Sequence, residues 1–339
     1  MRKEQFQRYL RYFRLYLRHA TLKKIINLLR VEFKLAKNCP DLQGTFPYFL
    51  TVEISNACNL RCPLCQMGRR EHIQRPNIMN ADNYSKIITP LKDYLFQVIL
   101  YDWGEPFLNR DIYKIIEINK ELNIGTIVSS NLNTDIDAKL LVESGIDYLI
   151  ISADGHTQEV YSSYRVNGDL SKVINNLRNI ISEKKKQKSK YPFIEWQCLV
   201  TRYSEPYLSN IQELALQEGV NTVRFSNINF YSSKDIEADK EKWLPQNKAF
   251  RHFEQNFNHT KKKRKPCFWL WRTMVINTNG GVTPCCLFDT EDWGNVTHTS
   301  LVNLRNEGLF LEARKRSLNQ PEKKNKLICD SCNAPFIFK

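Results

Sequence analysis

The chain has 339 residues, enough for a full catalytic domain and a smaller second one. Its 42% apolar content supports a sizeable core and excludes wholesale disorder, while the lack of any uncharged apolar run of about 18 residues excludes a recognisable membrane-spanning helix. Residues 1–38 hold eleven Lys/Arg against only Glu4 and Glu32, so most of the +14 net charge sits there. The rest of the chain is ordinarily charged, and no nucleic-acid partner is expected.

That amino-terminal segment places Phe6, Tyr9, Leu10, Phe13 and Leu17, then Leu22, Ile25, Ile26, Leu29 and Phe33, at helical spacing. Thr21 is suited to cap a second helix. Two uses fit a basic amphipathic pair. It can pack on its own domain with a solvated basic face, or it can lie on a membrane surface or a partner. Its regularly spaced arginines do not suit a secretory signal, so the expected location is the cytoplasm, with peripheral contact at the inner membrane surface as the second option. In that reducing setting the ten cysteines read as metal ligands or buried thiols rather than disulfides.

From residue 48 short β-branched runs alternate with helical stretches. The runs are YFLTVEIS (48–55), QVILYDW (97–103), TIVSS (126–130), YLIISA (148–153), FIEWQCLV (193–200) and TVRFSN (222–227). Helical patterns fall at 111–122, 135–144, 170–188 and 207–218. Six βα units in series predict an α/β fold, a parallel sheet partly closed into a TIM-like barrel, with ligands gathered at the carboxyl ends of the strands. The alternation stops near residue 230. Beyond it lie a Lys/Arg run at 261–265, five cysteines and VINTNGGVTPCC, in which Asn279-Gly280 signals a hairpin. The expected organisation is a helical extension and linker (1–47), a partial (βα)6 barrel (48–245) and a cysteine-rich α+β domain (246–339). The Lys/Arg runs at 184–190 and 261–265 read as solvated surface.

Directly after the first strand comes EISNACNLRCPLCQMG, with Cys58, Cys62 and Cys65 within eight residues. A structural zinc takes four ligands, commonly in two pairs. Three thiolates on a four-iron cube leave one iron open for a small molecule. None of the six histidines (His19, His72, His156, His252, His259, His298) has a metal-ligand spacing.

The C-x3-C-x2-C spacing after the first strand of a βα series resembles the radical S-adenosylmethionine (radical SAM) superfamily. Ordered companions strengthen the resemblance: WGEP (103–106), with Trp103 in place of the usual glycine, SSNLN (129–133), ISADG (151–155) and Arg165. The resemblance implies that Cys58, Cys62 and Cys65 hold a [4Fe–4S] cluster whose fourth iron is chelated by S-adenosylmethionine. It implies cofactor contacts at Leu64, Gly104, Glu105, Pro106, Ser129, Asn131, Ser152, Asp154 and Arg165, with Glu105 supporting its loop. It further implies reductive cleavage to a 5′-deoxyadenosyl radical that abstracts hydrogen from a substrate, with a flavodoxin or ferredoxin as reductant.

The second cysteine set resembles a shortened form of the SPASM auxiliary-cluster region, sometimes called twitch. One auxiliary [4Fe–4S] cluster on Cys267, Cys285, Cys329 and Cys332 is then expected, with Cys286 as the alternative to Cys285. Spacing alone leaves a four-cysteine zinc site open. Cys198, mid-strand, reads as a core thiol, with a barrel-facing hydrogen donor as its alternative. The resemblance implies an enzyme, and the expected substrate is a sugar, glycan or lipid-linked small molecule. The alternatives are a peptide maturase forming thioether or carbon–carbon links, and a non-catalytic iron–sulfur or zinc scaffold.

Overall fold

The computed structural model describes residues 3–71, 77–230, 233–251, 266–286, 291–318, 327–330 and 332. The Lys/Arg run at 261–265 and His72, His252 and His259 lie outside the described residues. Six parallel strands appear where β-branched runs alternate with helical stretches: β1 (Phe49–Val52), β2 (Gln97–Ile99), β3 (Gly125–Ser130), β4 (Tyr148–Ser152), β5 (Phe193–Val200) and β6 (Thr222–Asn227). They pair in sequence order, each in parallel register with the next. The crossover helices are α4 (Ala81–Ile88), α5 (Ile112–Glu121), α6 (Ala138–Glu143), α8 (Leu170–Lys186) and α9 (Leu208–Gln217), with α3 (Gln66–Arg69) and α7 (Gln158–Tyr164) as short insertions near the carboxyl ends of the strands.

Side-chain alternation divides the sheet into two faces. Val98, Val128, Leu149, Ile151, Ile194, Trp196 and Cys198 join the main core with the apolar stripes of the helices. Cys198 is therefore a core thiol on the helix-covered face, which removes the barrel-facing alternative. The opposite, concave face carries Ile127, Tyr148 and Ile150, which form a separate cluster with Leu15 from the amino-terminal helix.

That helix, α1 (Lys3–Arg18), and α2 (Leu22–Ala36) cap the amino ends of the strands. Thr21 caps α2, accepting from the Lys24 amide at 3.4 Å, a contact worth ~1 kcal/mol. Part of the basic face turns inward, while Arg14, Lys23, Arg30 and Lys37 remain exposed. Arg18 pairs with Asp147 at 2.8 Å, Arg11 lies 3.6 Å from Glu195, and Lys24 is buried, donating to the Asn123 carbonyl. His19 is held between Asn123 and Asp147, each at 3.1 Å. Much of the apolar stripe faces outward instead. The physical reason is the surface beneath: the strand starts offer carboxylates and carbonyls, which draw the hydrogen-bond donors of the helix pair. Of the Lys/Arg run at 184–190, Lys185, Lys186, Lys188 and Lys190 are exposed.

The Asn279-Gly280 hairpin forms as β7 (Val275–Ile276) and β8 (Val282–Thr283), with Gly280 at φ +81° in the turn. β7 also pairs in parallel with β1, so the hairpin extends the barrel sheet, whose full order is β6-β5-β4-β3-β2-β1-β7-β8. After α10 (Ile236–Trp243), the cysteine-rich region adds α11 (Phe268–Arg272), α12 (Leu301–Asn306) and α13 (Gly308–Ser317). Two fully buried arginines fasten it to the linker. Arg305 donates to the Thr45 carbonyl and hydroxyl and to the Trp271 carbonyl; Arg314 donates to the carbonyls of Pro40, Leu270 and Arg305. The Leu270, Trp271 and Arg305 carbonyls end α11 and α12, where helix dipoles supply the negative partial charge a buried guanidinium needs. Replacing Arg305 by Leu should strand these acceptors and cost about 3 kcal/mol, read as a fall in the urea midpoint of unfolding.

Candidate active site

The cysteine loop leaves β1 and turns into α3, with Cys65 as the residue before the helix. Cys62 is buried, and Cys58 and Cys65 are half-buried beside it. Leu60, Leu64 and Cys62 rest on a second apolar cluster with Tyr164, Ile228, Phe230, Trp243 and Leu244. Gly68 is needed for this turn, because a Cβ there would lie 2.3 Å from the Cys62 carbonyl oxygen. Arg61 donates its amide to the Val166 carbonyl at 2.9 Å, linking the loop to the segment after α7.

The β2 loop lies directly against this one. A Cβ on Gly104 would meet the Ser55 carbonyl oxygen at 2.1 Å, so only glycine allows the approach. The Glu105 amide donates to the Ala57 carbonyl at 2.8 Å, and the Trp103 amide donates to the Glu53 carboxylate at 2.9 Å. The Glu105 side chain is buried and accepts from the Ser130 hydroxyl and Asn131 amide, each at 2.8 Å, and from the Phe107 amide at 3.1 Å. Burial pushes its carboxyl above the ordinary value, and those donors pull against the rise. The Asn109 side chain donates to the carbonyls of Ile54 and Met79, tying the same loops from below.

Two nitrogens approach the cysteine sulfurs. Asn131 Nδ2 lies 4.0 Å from Cys58 Sγ, and Arg165 Nη1 lies 3.9 Å from Cys62 Sγ. Asn131 also donates to Asn59 at 3.0 Å. Arg165 is anchored by Asp154 at 2.6 Å, whose other oxygen accepts the Leu199 amide at 2.6 Å. One Asp154 oxygen thus holds Arg165, and the other is fixed by the Leu199 amide. Ser129 and Ser152 share a hydrogen bond of 3.1 Å, which fixes them on one face. Burial pushes the Cys58 thiol up to about 11 and the Cys62 thiol up to about 12, with Arg165 pulling the latter down. Both thiols are therefore protonated at neutral pH in the metal-free chain.

In the carboxyl-terminal region Cys267 precedes α11. Burial is the main force raising the Cys329 thiol, with Cys285, Cys267 and Cys332 adding to it, so these four lie within electrostatic reach of one another. Cys286 has different surroundings: burial raises its thiol first, then Asp102 at the end of β2, then Cys285. All ten cysteines are free thiols. Among the described residues no three His, Cys, Asp or Glu groups converge closely enough to share one metal ion. Three thiols in one loop, two of them with a side-chain donor near the sulfur, fit a thiolate-held iron–sulfur cube.

Residues 52–191 match the model of the radical SAM superfamily, and residues 267–333 match that of an iron–sulfur cluster-binding domain, SPASM. The chain is 26% identical over 140 residues to GTP 3′,8-cyclase of Clostridium acetobutylicum, covering 40% of this chain and 44% of that protein. It is 25% identical over 187 residues to the mycofactocin maturase MftC of Mycobacterium ulcerans, covering 54% and 47%. The matches thus span less than half the length of these curated relatives. Among solved structures, SuiB of Streptococcus suis bound to S-adenosylmethionine superposes with a TM-score of 0.61 at 15% identity, over 85% of this chain and 71% of that one. Native anSMEcpe with S-adenosylmethionine gives 0.54 at 17%, over 80% and 84%. Residues 52–191 thus form a radical SAM domain, of the kind that binds a [4Fe–4S] cluster with S-adenosylmethionine, and residues 267–333 a SPASM domain, of the kind that binds auxiliary clusters.

Sequence reasoning missed Gly68, Glu53 and Asn109. A glycine three residues after the last cysteine was the available signal for the first. Nothing local marks the other two. Two predictions test the site. Gly104→Ala should force the β1 and β2 loops apart and lower S-adenosylmethionine affinity by at least about tenfold, measured by anaerobic equilibrium binding. Alkylation of Cys58 in the iron-free protein should quicken about tenfold per pH unit above neutrality and level off only near pH 11, because the thiol stays protonated below that value.

Proposed function

We propose that Cys58, Cys62 and Cys65 hold the S-adenosylmethionine-ligated cluster, and that the enzyme takes hydrogen from a hydroxyl-bearing small molecule of sugar or glycan type, free or lipid-linked. Cys267, Cys285, Cys329 and Cys332 would hold the auxiliary cluster. The assignment of Cys285 over Cys286 rests on its influence at Cys329. When bound, these groups supply a hydrogen-abstracting 5′-deoxyadenosyl radical and an acceptor for the electron left on the substrate. A flavodoxin or ferredoxin is the proposed reductant.

The chain's own residues divide the remaining work. The backbone at Gly104–Pro106 binds the methionine end, and Arg165, held by Asp154, faces its carboxylate. Leu64 offers its backbone to the adenine. Asn131 and the Ser129–Ser152 pair lie at the strand ends where the ribose is expected. Below them, α1 closes the floor of the concave face and excludes water from that side.

The observation that carries the substrate class is the polar wall between floor and rim. Arg224 on β6 donates to Glu195 and Gln197 on β5, each at 2.5 Å, and to Ser226 at 3.1 Å. With Ser129 and Ser152 these half-buried groups offer hydroxyl, amide and guanidinium contacts, which suit a polyhydroxylated or anionic substrate better than an apolar one. Glu195 also accepts from the Tyr148 hydroxyl at 2.7 Å, so the guanidinium is held in place before substrate arrives. A second reading, modification of a peptide, is favoured by the likeness to the maturase MftC.

The test is anaerobic. The reconstituted, reduced enzyme is given S-adenosylmethionine and either a panel of sugars and nucleotide sugars or a panel of peptides, and 5′-deoxyadenosine is quantified. Stimulation by the sugars supports this reading, and stimulation by peptides alone replaces it with the second. Cys62→Ala should abolish deoxyadenosine in either case. Arg224→Gln should raise KM for the accepted substrate about tenfold while leaving substrate-free cleavage unchanged.

A further inference from the structure

The helix pair turns its apolar side to water. On α2, Leu22, Ile25, Ile26, Leu29 and Phe33 form one stripe at helical spacing, and Leu22 and Phe33 are 74% and 63% exposed. Leu10, Phe13 and Leu17 give α1 a stripe of the same kind, with Leu17 at 59%. These side chains contribute to neither the barrel core nor the cluster around Leu15. Single exposed apolar residues are ordinary; eight on two consecutive helices form a binding surface.

Charge identifies the occupant. Lys23, Arg30 and Lys37 recur every seven residues along α2 and its carboxyl cap, so they border one edge of its stripe; all three are exposed, Lys23 in an exposed pair with Asp93 at 2.9 Å. Arg14 is exposed beside the stripe of α1. The acidic side chain of α2, Glu32, is consumed by Arg272 at 2.6 Å and by the Tyr48 hydroxyl at 2.8 Å. A second copy of this chain would bring like charges together across the contact. An anionic bilayer meets both features: the apolar stripe enters the acyl boundary and the bordering Lys/Arg remain among the headgroups.

We infer that α1 and α2 form a membrane-surface anchor that docks this enzyme on anionic phospholipid. The inward-turned side chains give the anchor its rigidity. Arg11, Arg18, His19 and Lys24 fix the helices to the strand starts, so the apolar side cannot roll back onto the barrel. The anchor sits at the amino ends of the strands, and the cysteine loop lies at their carboxyl ends. A bilayer held there leaves the catalytic mouth open to the aqueous side. The inference does not rest on the substrate proposed above, because lipid binding is read without turnover.

The experiment is flotation of the full-length, cluster-loaded protein with vesicles of phosphatidylcholine, with and without phosphatidylglycerol, across a sodium chloride series. Flotation with the anionic vesicles, about tenfold weaker without phosphatidylglycerol and weakened by salt, is the expected result. The double variant Ile25→Ser/Leu29→Ser should lose about tenfold in binding and keep its iron content, far-UV spectrum and substrate-free deoxyadenosine formation. Arg30→Glu/Lys37→Glu should lose binding with the stripe intact. Failure of the folded wild-type protein to float with anionic vesicles overturns the inference. So does sedimentation as a dimer that the Ile25→Ser/Leu29→Ser variant converts to monomer, since the stripe would then serve a second copy.

Discussion

A single buried carboxylate holds the catalytic end of this molecule together. Glu105 receives donors from the end of β3 and from its own turn, and its amide is bound to the cysteine loop after β1. An isolated ion in such a place would be costly; three hydrogen bonds offset the loss of water. Three separate strand ends thereby become one rigid rim. The cysteine sulfurs, the Gly104–Pro106 backbone and Asn131 keep their relative positions because this anchor leaves them little freedom. Gly104 is its steric counterpart, since the carboxylate can be buried there only if the preceding residue has no side chain.

Below the rim the concave face changes character in layers. Ile127, Tyr148 and Ile150 meet Leu15 at the floor, and Arg224, Gln197, Ser129 and Ser152 occupy the level above. Such an arrangement separates two tasks. The dry floor closes one end of the open barrel, and the polar wall orients whatever enters from the other. The open side of the sheet at β6, half-buried along its whole length, allows larger substrates than a closed barrel would admit.

The six strands were legible because strands buried on both faces read as unbroken β-branched runs, and the helices between them as 3.6-residue patterns. Strand ends were less so. The run through Trp103 looks continuous, yet β2 stops at Ile99 because the chain bends to give the Trp103 amide to Glu53, a partner fifty residues away. The cysteine triplet was legible for a different reason: three thiols within eight residues stand out by spacing alone. Asn109 acts through backbone carbonyls of distant segments, and no local pattern marks such a role. The amino-terminal stripe was found residue by residue, but its direction was not. Periodicity locates a face without saying what it faces, and here the acidic strand starts claimed the opposite side.

The pairing of β7 with β1 has a consequence for how such a chain can be taken apart or recombined. β1, which delivers the cysteine loop, is an interior strand only because the carboxyl-terminal hairpin lies beside it. A barrel separated from that hairpin would present a bare row of peptide groups next to its most reactive loop, a template for strand addition from another chain. The auxiliary-cluster region is therefore not a detachable module appended to a finished barrel. It supplies the barrel's missing neighbour, and the two must be inherited, folded and engineered together.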